Sequence, residues 1–512
     1  MKILILVLIS SILFLSQTTA FADIRLPRVF GNNMVIQRDM PAPIWGWAAP
    51  NESITISLLR QDVESEVDTY IVKADEKGNW RTTLKATPAG GPYKIEISGE
   101  NTIELSDILF GEVWVCSGQS NMAWSVNQSN NSQEEIAAAN YPTIRLFHIP
   151  NEISGLPSPD VNAQWRPTTP DNIRHFSAVA YSFGRHLNKE LNVPIGLINS
   201  SWGGSRIEPW TPPEGFASVK ALASISEEIQ DIDKNIRMQL PETLRELESW
   251  IAKTKKALED SDTVYEMPEL DHPLKNGGRP TAMYNNMIYP IVPYAIRGAL
   301  WYQGESNVRE GMMYHEKMKG LIKGWREVWK QGDFPFYFVQ LAPWGGYDRD
   351  DHTHLPKLWE AQAATLELPN TGMVVTTDIG NVKDIHPRNK QDVGLRLAFW
   401  ALAKTYGKDD LVCSGPLYKS MEIEGNSIRL HFEHVGSGLV ARDGEPLSWV
   451  QIAGEDKQFV DAVAVIDGET VVVSSDAVES PVAVRLGWNQ IAEPNLMNKE
   501  GLPVSPFRTD TW

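Results

Sequence analysis

Four short stretches of the sequence carry the side chains that acyl transfer needs. A serine hydroxyl can attack an acyl carbon, a histidine can take its proton, a carboxylate can orient the histidine, and amide donors can stabilise the oxyanion. The four stretches are VWVCSGQSNMAW (113–124) with Ser120, Gly203-Gly204-Ser205, Gln303-Gly304-Glu305-Ser306-Asn307 and Asp384-Ile385-His386-Pro387. This chemistry requires that the fold bring the four stretches together.

Each stretch also has a simpler interpretation. A serine after an apolar run is most often a helix cap, and a Gly-Gly pair after a strand is usually a turn. For Ser120 the two interpretations are compatible, because a nucleophile at a helix N-terminus gains from the positive end of the helix dipole. The stronger indication is that all four stretches follow predicted strands.

Residues 107–412 alternate apolar runs with amphipathic helical patterns, which predicts an α/β fold with a doubly wound parallel sheet. Ligands of such sheets bind beyond the carboxyl ends of the strands, where the four stretches lie. The predicted strands are ILFGEVWVCSG, VPIGLINSSWGGS, IRGALWYQGES, FPFYFVQLAP and TGMVVTTDIG.

The flanking regions follow other patterns. Residues 23–106 and 413–512 consist of short alternating runs separated by Gly and Pro, which predicts sandwich-like or jelly-roll-like β modules. A charged, helical stretch at about 214–275 interrupts the central domain. Residues 1–22 have the pattern of a secretory signal peptide, with an N-terminal anchor helix as the alternative. We therefore expect a secreted or periplasmic protein that is soluble and not membrane-bound once the signal is cleaved.

The composition excludes several classes of function. The chain has 65 acidic and 47 basic residues without a basic cluster, so nucleic acid is not an expected partner. Two distant cysteines, Cys116 and Cys413, exclude a disulfide scaffold and a cysteine zinc site. No metal or cofactor is predicted. The 18 tryptophans favour carbohydrate weakly, because flat aromatic faces suit sugar rings. The oligomeric state is left open.

Taken together, the four stretches resemble the conserved blocks of the SGNH hydrolases, in the form found in sialate O-acetylesterases. The similar segments are GQSNM, WGGS, WYQGESN and DIHP with the downstream KQDVGLRLA. The N-terminal PRVFGNNMVIQRDMPAPIWGWA resembles the opening β region of the same family. The resemblance covers most of residues 24–405 and implies an SGNH-type, flavodoxin-like sheet.

The resemblance implies a role for each block. Ser120 would be the nucleophile and His386 the general base. The oxyanion would be bound by the backbone N–H of Ser120, by that of Gly204 (or Gly203), and by the side-chain amide of Gln303.

The acid of the triad is less well defined. The common SGNH pattern has Asp three residues before the histidine, but this chain has Lys383 there. We favour Asp384, and Asp378 at the end of the preceding predicted strand is the alternative. Glu305 is a third candidate, as a supporting acid or a bridge between loops.

Further side chains near the blocks are candidates for substrate binding: Trp202, Arg206, Glu305 and Trp344. Core packing for the tryptophans and a structural ion pair for Arg206 are the alternatives. The resemblance implies a metal-independent serine esterase that removes O-acetyl groups from carbohydrates. The substrate would be an O-acetylated sialic acid or a plant polysaccharide such as xylan. A non-catalytic carbohydrate-binding protein is the alternative from another class.

Overall fold

The computed structural model describes residues 23–62, 65–268 and 272–512. The predicted signal peptide, residues 1–22, lies outside the described residues. Across the described ranges, no helix is long and apolar enough to cross a membrane.

Twenty-three strands and nine α-helices are present in the described residues. The strands are β1 (Val35–Gln37), β2 (Ala42–Trp47), β3 (Ser53–Arg60), β4 (Ser65–Lys73), β5 (Asn79–Leu84), β6 (Gly90–Ser98), β7 (Thr102–Gly118), β8 (Tyr141–His148), β9 (Trp165–Thr168), β10 (Ile195–Ser201), β11 (Gly298–Tyr302), β12 (Phe336–Val339), β13 (Thr371–Val374), β14 (Leu417–Glu424), β15 (Ser427–Glu433), β16 (Leu439–Ala441), β17 (Val450–Gly454), β18 (Val460–Asp461), β19 (Val463–Asp467), β20 (Thr470–Ser474), β21 (Pro481–Leu486), β22 (Leu496–Asn498) and β23 (Phe507–Arg508). The helices are α1 (Ser120–Ala123), α2 (Ser132–Ala137), α3 (Pro170–Ile173), α4 (Ala178–Leu191), α5 (Pro213–Ala217), α6 (Ala223–Asp260), α7 (Met312–Trp329), α8 (His354–Ala364) and α9 (Lys390–Trp400).

The central sheet has the predicted α/β architecture. Its strand order is β13-β12-β11-β7-β10-β8-β9. All neighbouring strands are parallel except β8 and β9, which are antiparallel. The register aligns Gly118 at the end of β7 with Ser201 of β10 and with Tyr302 of β11. Three loops that carry predicted site residues therefore begin at the same level on one edge of the sheet.

Helices cover both faces of this sheet, as a doubly wound fold requires. On one face, Trp114 of β7 contacts Phe183 of α4, with ring centroids 5.1 Å apart. On the other face, Trp301 of β11 contacts Trp325 of α7 at 6.2 Å. Apolar side chains thus line both sheet faces, which explains why the strands read as continuous apolar runs.

Strand β7 links the N-terminal β region to the central sheet. From Thr102 to Leu105 exposed residues alternate with half-buried or buried ones, and this part pairs with β6. From Ile108 onward every residue is buried, and residues 112–118 pair in parallel with β10 and, from Trp114, with β11. One strand therefore crosses the predicted 106/107 boundary, and a single hydrophobic core spans both regions. The predicted domain limits stay predictions.

The C-terminal region has its own small core. The strand orders of its two four-stranded sheets are β14-β15-β20-β19 and β18-β17-β21-β23. Arg508 forms an ion pair with Glu360 of α8 at 3.0 Å, and Ser505 accepts a hydrogen bond from the Gln340 amide at 2.9 Å. These polar contacts attach the C-terminal region to α8 and to the residue that follows β12 in the central domain.

Candidate active site

The turn that presents Ser120 depends on a glycine. Gly118 has a φ of +141°, and a Cβ atom at this position would lie 2.1 Å from the carbonyl oxygen of Tyr302. Only glycine tolerates that conformation and that close approach. Ser120 is the first residue of α1, and Gln119 occupies the cap position without a side-chain capping bond. The serine hydroxyl is thus not engaged in capping this helix.

His386 contacts Ser120 directly. Its Nε2 lies 2.8 Å from Oγ of Ser120, a distance that suits proton transfer between them. The imidazole stacks on Trp124, with ring centroids 4.8 Å apart and an angle of 17° between the planes. This stacking fixes the orientation of the imidazole toward the serine.

The two candidate acids occupy different positions. Asp384 accepts the backbone N–H of His386 at 2.9 Å, and its charge acts to raise the pKa of the imidazole. In the described part of the chain no hydrogen bond joins Asp384 to Nδ1 of the ring. Asp378 forms a bidentate ion pair with Arg396, at 2.7 and 2.6 Å. Asp384 is therefore the carboxylate that lies next to His386, and Asp378 is engaged elsewhere.

Beneath this pair lies a buried polar cluster centred on Asn121. The amide nitrogen of Asn121 donates to Oε1 of Glu305 at 2.5 Å and to the carbonyl of Ile385 at 3.0 Å. Its amide oxygen accepts from Nζ of Lys390 at 2.5 Å. One side chain thus ties together α1, the loop after β11 and the loop that carries His386.

Burial shifts the pKa values of this cluster. Burial lowers the pKa of Lys390 to about 7, against the raising effect of Glu305 and Asp384. Burial also raises the pKa of Glu305, although the Asn121 hydrogen bond opposes the shift. The pKa of His386 is lowered, first by burial and then by the Lys390 cation. A lowered pKa keeps the imidazole neutral, as a general base must be.

The loop after β10 lies next to the serine. A Cβ on Gly203 would be 3.5 Å from Cβ of Ser120, and Gly204 has a φ of +73°. Oγ of Ser306 donates to the carbonyl of Gly204 at 2.9 Å, which joins this loop to the one after β11. The backbone of Gly203 and Gly204 is therefore positioned beside the serine, where oxyanion donors are needed.

Gln303 does not reach the cavity. Its amide nitrogen donates to the carbonyl of Ser205 at 3.1 Å and to Oδ1 of Asn307 at 2.8 Å, and its oxygen accepts from Tyr314 at 2.8 Å. The side chain is fully buried. The role of Gln303 as an oxyanion donor stays a prediction. For the side-chain amide to bind the oxyanion, it would have to release one of these two acceptors.

A cavity of about 500 Å³ opens over Ser120 and His386. Its lining combines glycine backbone, polar side chains and aromatic rings: Gln119, Ser120, Gly203, Gly204, Glu305, Ser306, Val308, Trp344, Gly346, Tyr347, Ile385 and His386. Trp344 and Tyr347 pack edge to face at 4.8 Å and provide aromatic surface. Oε2 of Glu305 is buried without a hydrogen-bond partner among the described residues. No lysine or arginine belongs to the lining within those residues.

Two predicted substrate-binding residues lie outside this lining. Trp202 is half-buried against the core, and its backbone N–H donates to the carbonyl of Gly118 at 3.0 Å. Arg206 pairs with Glu208 at 2.9 Å and with Glu310. The structure therefore places Glu305 and Trp344 in the lining of the cavity. Arg206 instead forms the structural ion pair that was the alternative to substrate binding.

Comparisons with known proteins agree with this geometry. The sequence model of the carbohydrate esterases described as sialic acid-specific acetylesterase matches residues 111–239 and 273–402. The chain is 30% identical to human sialate O-acetylesterase over 456 residues, which cover 82% of this chain and 78% of the human protein. This chain belongs to the sialic acid-specific acetylesterase family of carbohydrate esterases. The predicted family and enzyme class are confirmed.

Two further proteins extend the similarity. Mouse sialate O-acetylesterase is 30% identical over 434 residues, which cover 78% of this chain and 76% of the mouse protein. The crystal structure of a carbohydrate acetylesterase from Xanthomonas citri superposes with a TM-score of 0.80 and is 36% identical. That match covers 96% of this chain and all of the other, so the flanking β regions are included.

Sequence reasoning missed several residues around the site of this family member. Asn121 and Lys390 both lie inside segments that carried the resemblance, GQSNM and KQDVGLRLA, but neither has a side chain typical of acyl transfer. Trp124 was also not assigned. The sequence carries no local signal for the cluster, because the burial of Lys390 at the first position of α9 depends on the folded chain.

Proposed function

We propose that this esterase removes O-acetyl groups from carbohydrates through an acetyl-enzyme on Ser120. The observation that carries the proposal is the 2.8 Å contact between Nε2 of His386 and Oγ of Ser120 at the base of an open cavity. A serine and a histidine at this distance form a nucleophile and its base.

The reaction has two steps. His386 takes the proton of Ser120 as Oγ attacks the acetyl carbon, and it gives this proton to the sugar oxygen as the ester C–O bond breaks. A water molecule then loses a proton to His386 and attacks the acetyl-enzyme, which releases acetate and returns the proton to Ser120. Asp384 stabilises the imidazolium that forms in each step, through its charge next to the ring.

The oxyanion is bound by backbone donors in this proposal. The donors would be the N–H group of Ser120 and that of Gly204, or Gly203, whose backbone lies beside the serine. Gln303 would add a third donor only after a change of its hydrogen bonds. Trp344 supplies an apolar face for the sugar ring, and Glu305 borders the same cavity.

A second substrate class has support from the charge of the cavity. The curated relatives are sialate O-acetylesterases, and a sialoside carries a carboxylate. Within the described residues the cavity lining includes the carboxylate of Glu305 and no lysine or arginine, and Arg206 is already paired. A neutral acetylated polysaccharide such as xylan therefore fits this lining better than an anionic sugar does.

The signal-like residues 1–22 support export from the cytoplasm.

The experiment compares acetate release by the wild type and by Ser120→Ala from acetylated xylan and from a 9-O-acetylated sialoside, with EDTA present. We expect release by the wild type alone, and faster release from xylan. Ser125→Ala is the matched control, because Ser125 lies five residues further on and, among the described residues, its hydroxyl bonds only to Asn127 and Gln128 of its own turn. Release that survives Ser120→Ala refutes the mechanism. Binding of either glycan without release favours the carbohydrate-binding alternative.

A further inference from the structure

The distal part of helix α6 is not explained by the esterase function. Residues 240–272 lie between the two segments that match the family. Before Pro241, the helix buries Ile229 and Ile236 against the body of the protein. Beyond Pro241 no side chain of α6 is buried in the described part of the chain. This distal half therefore gains little stability from its own domain.

A largely apolar seam with a coiled-coil spacing begins at Leu240, next to Pro241, and runs along the distal half. The seam residues follow one another at intervals of four, three, four, three and four: Leu240, Leu244, Leu247, Ile251, Thr254 and Leu258. Alternation of three and four residues is the a/d pattern of a two-stranded coiled coil. Four of the six side chains are between 38% and 68% exposed. A soluble protein rarely leaves such a stripe uncovered.

Among the described residues, the chain covers only one flank of the seam. The segment that follows the helix returns along it, and the Trp250 indole donates to the carbonyl of Tyr265 at 2.9 Å. Tyr265 and Met267 in this segment are themselves 71% and 52% exposed. The return segment thus enlarges the exposed apolar surface instead of hiding it.

Two charged residues flank the seam. Glu248 and Lys255 directly follow the d-position residues Leu247 and Thr254, so both lie at e positions. The other charged side chains of this part of the helix lie at b, c and f positions, which face away from a partner helix. A second copy of the helix in antiparallel orientation would place Glu248 beside Lys255 of the partner subunit, twice by symmetry. A parallel copy would form no such ion pair, because its e positions would face the uncharged g positions.

We propose that the distal half of α6 joins two copies of this chain as an antiparallel, two-fold symmetric coiled coil. The seam is symmetric about residue 249, so each Leu240 packs on Leu258 of the partner subunit. By the same symmetry Leu247 packs on Ile251 of the partner subunit. The interface is isologous, since the same surface serves both copies and the assembly closes at a dimer. The inference concerns assembly and does not depend on the proposed mechanism.

The test measures the mass of the full chain in solution by light scattering and sedimentation, over concentrations up to about 100 μM. We expect a dimer for the wild type and a monomer for Leu244→Lys/Ile251→Lys. Both side chains are exposed, so the variant folds, and its helical circular dichroism and esterase activity stay at wild-type level. Ile423→Lys/Val463→Lys is the matched control, which removes two equally exposed apolar residues of the C-terminal region and stays dimeric.

A charge exchange tests the orientation. Lys255→Glu and Glu248→Lys are each expected to be at least tenfold weaker in self-association, because each variant places two like-charge pairs across the interface. An equimolar mixture restores the dimer, because the two e positions of one variant then face opposite charges on the other. A monomeric wild type, a dimer that survives the seam substitutions, or a mixture without recovery overturns the proposal.

Discussion

Asn121→Ala is expected to destabilise the central domain because Asn121 joins Lys390 to Glu305 in the buried cluster. The substitution removes two hydrogen bonds to charged groups, both 2.5 Å long, and one to the carbonyl of Ile385. Hydrogen bonds to charged groups contribute about 1.5–3 kcal/mol each, so we expect a loss of about 3–5 kcal/mol. Activity falls as well, because Ile385 precedes His386.

The pH dependence of this loss identifies its cause. The pKa of Lys390 is about 7 in the folded protein, well below its value in the unfolded chain. The folded state therefore binds fewer protons than the unfolded state between these two values, and stability rises with pH across that window. Below pH 7 the variant must bury a lysine cation without its acceptor. The destabilisation is thus expected to be larger at about pH 6 than at about pH 9.

Urea unfolding, followed by tryptophan fluorescence at both pH values, measures the loss. Asn127→Ala is the matched control, because the exposed side chain of Asn127 accepts one hydrogen bond among the described residues, from Oγ of Ser125 at 2.6 Å. We expect it to lose no more than about 1 kcal/mol. If the two variants unfold at the same urea concentration, or if the loss at Asn121 is independent of pH, the account of the cluster is wrong.

Three other substitutions test the site. Lys390→Met removes a cation that lowers the pKa of His386, so we expect the acid limb of the kcat/KM profile to move to higher pH. Lys383 is exposed, and Lys383→Met is the control that leaves the profile in place. Gly118→Ala places a Cβ 2.1 Å from a carbonyl oxygen at a positive φ; we expect a loss of at least about 2 kcal/mol and a lower melting temperature. Trp344→Ala raises KM for an acetylated sugar about tenfold, as loss of about 1.4 kcal/mol would, while p-nitrophenyl acetate hydrolysis is unchanged.

Much of the fold could be predicted from the sequence because buried strands have a distinctive pattern. The apolar runs at 108–118 and 296–302 end at turns, and these turns lie together because parallel strands share an edge. Strands β8 and β9 were missed, since their pattern of exposed and buried residues is irregular. The extension of one strand across two regions was also missed. Alternation changes to continuous burial within β7 without any break in the strand.

The site was predictable where chemistry restricts the residue type. Ser120 and His386 were selected from the sequence because few side chains can attack an ester or hold its proton, and they contact each other in the structure. The contacts of Arg206 and Gln303 depend on neighbours that are distant in the sequence, such as Glu310 and Tyr314. Long-range partners of this kind leave no local pattern, so the sequence could nominate these residues but could not orient them.

The acetyl-enzyme is the central claim, and mass spectrometry of the acid-quenched enzyme tests it most directly. The enzyme is mixed with an activated acetyl ester, stopped within the first turnovers, digested, and searched for the peptide that contains Ser120. The account predicts an acetyl group on Ser120 in the wild type, and neither acetylation nor turnover in Ser120→Ala. Acetylation of a different residue, or turnover that continues in Ser120→Ala, would contradict it.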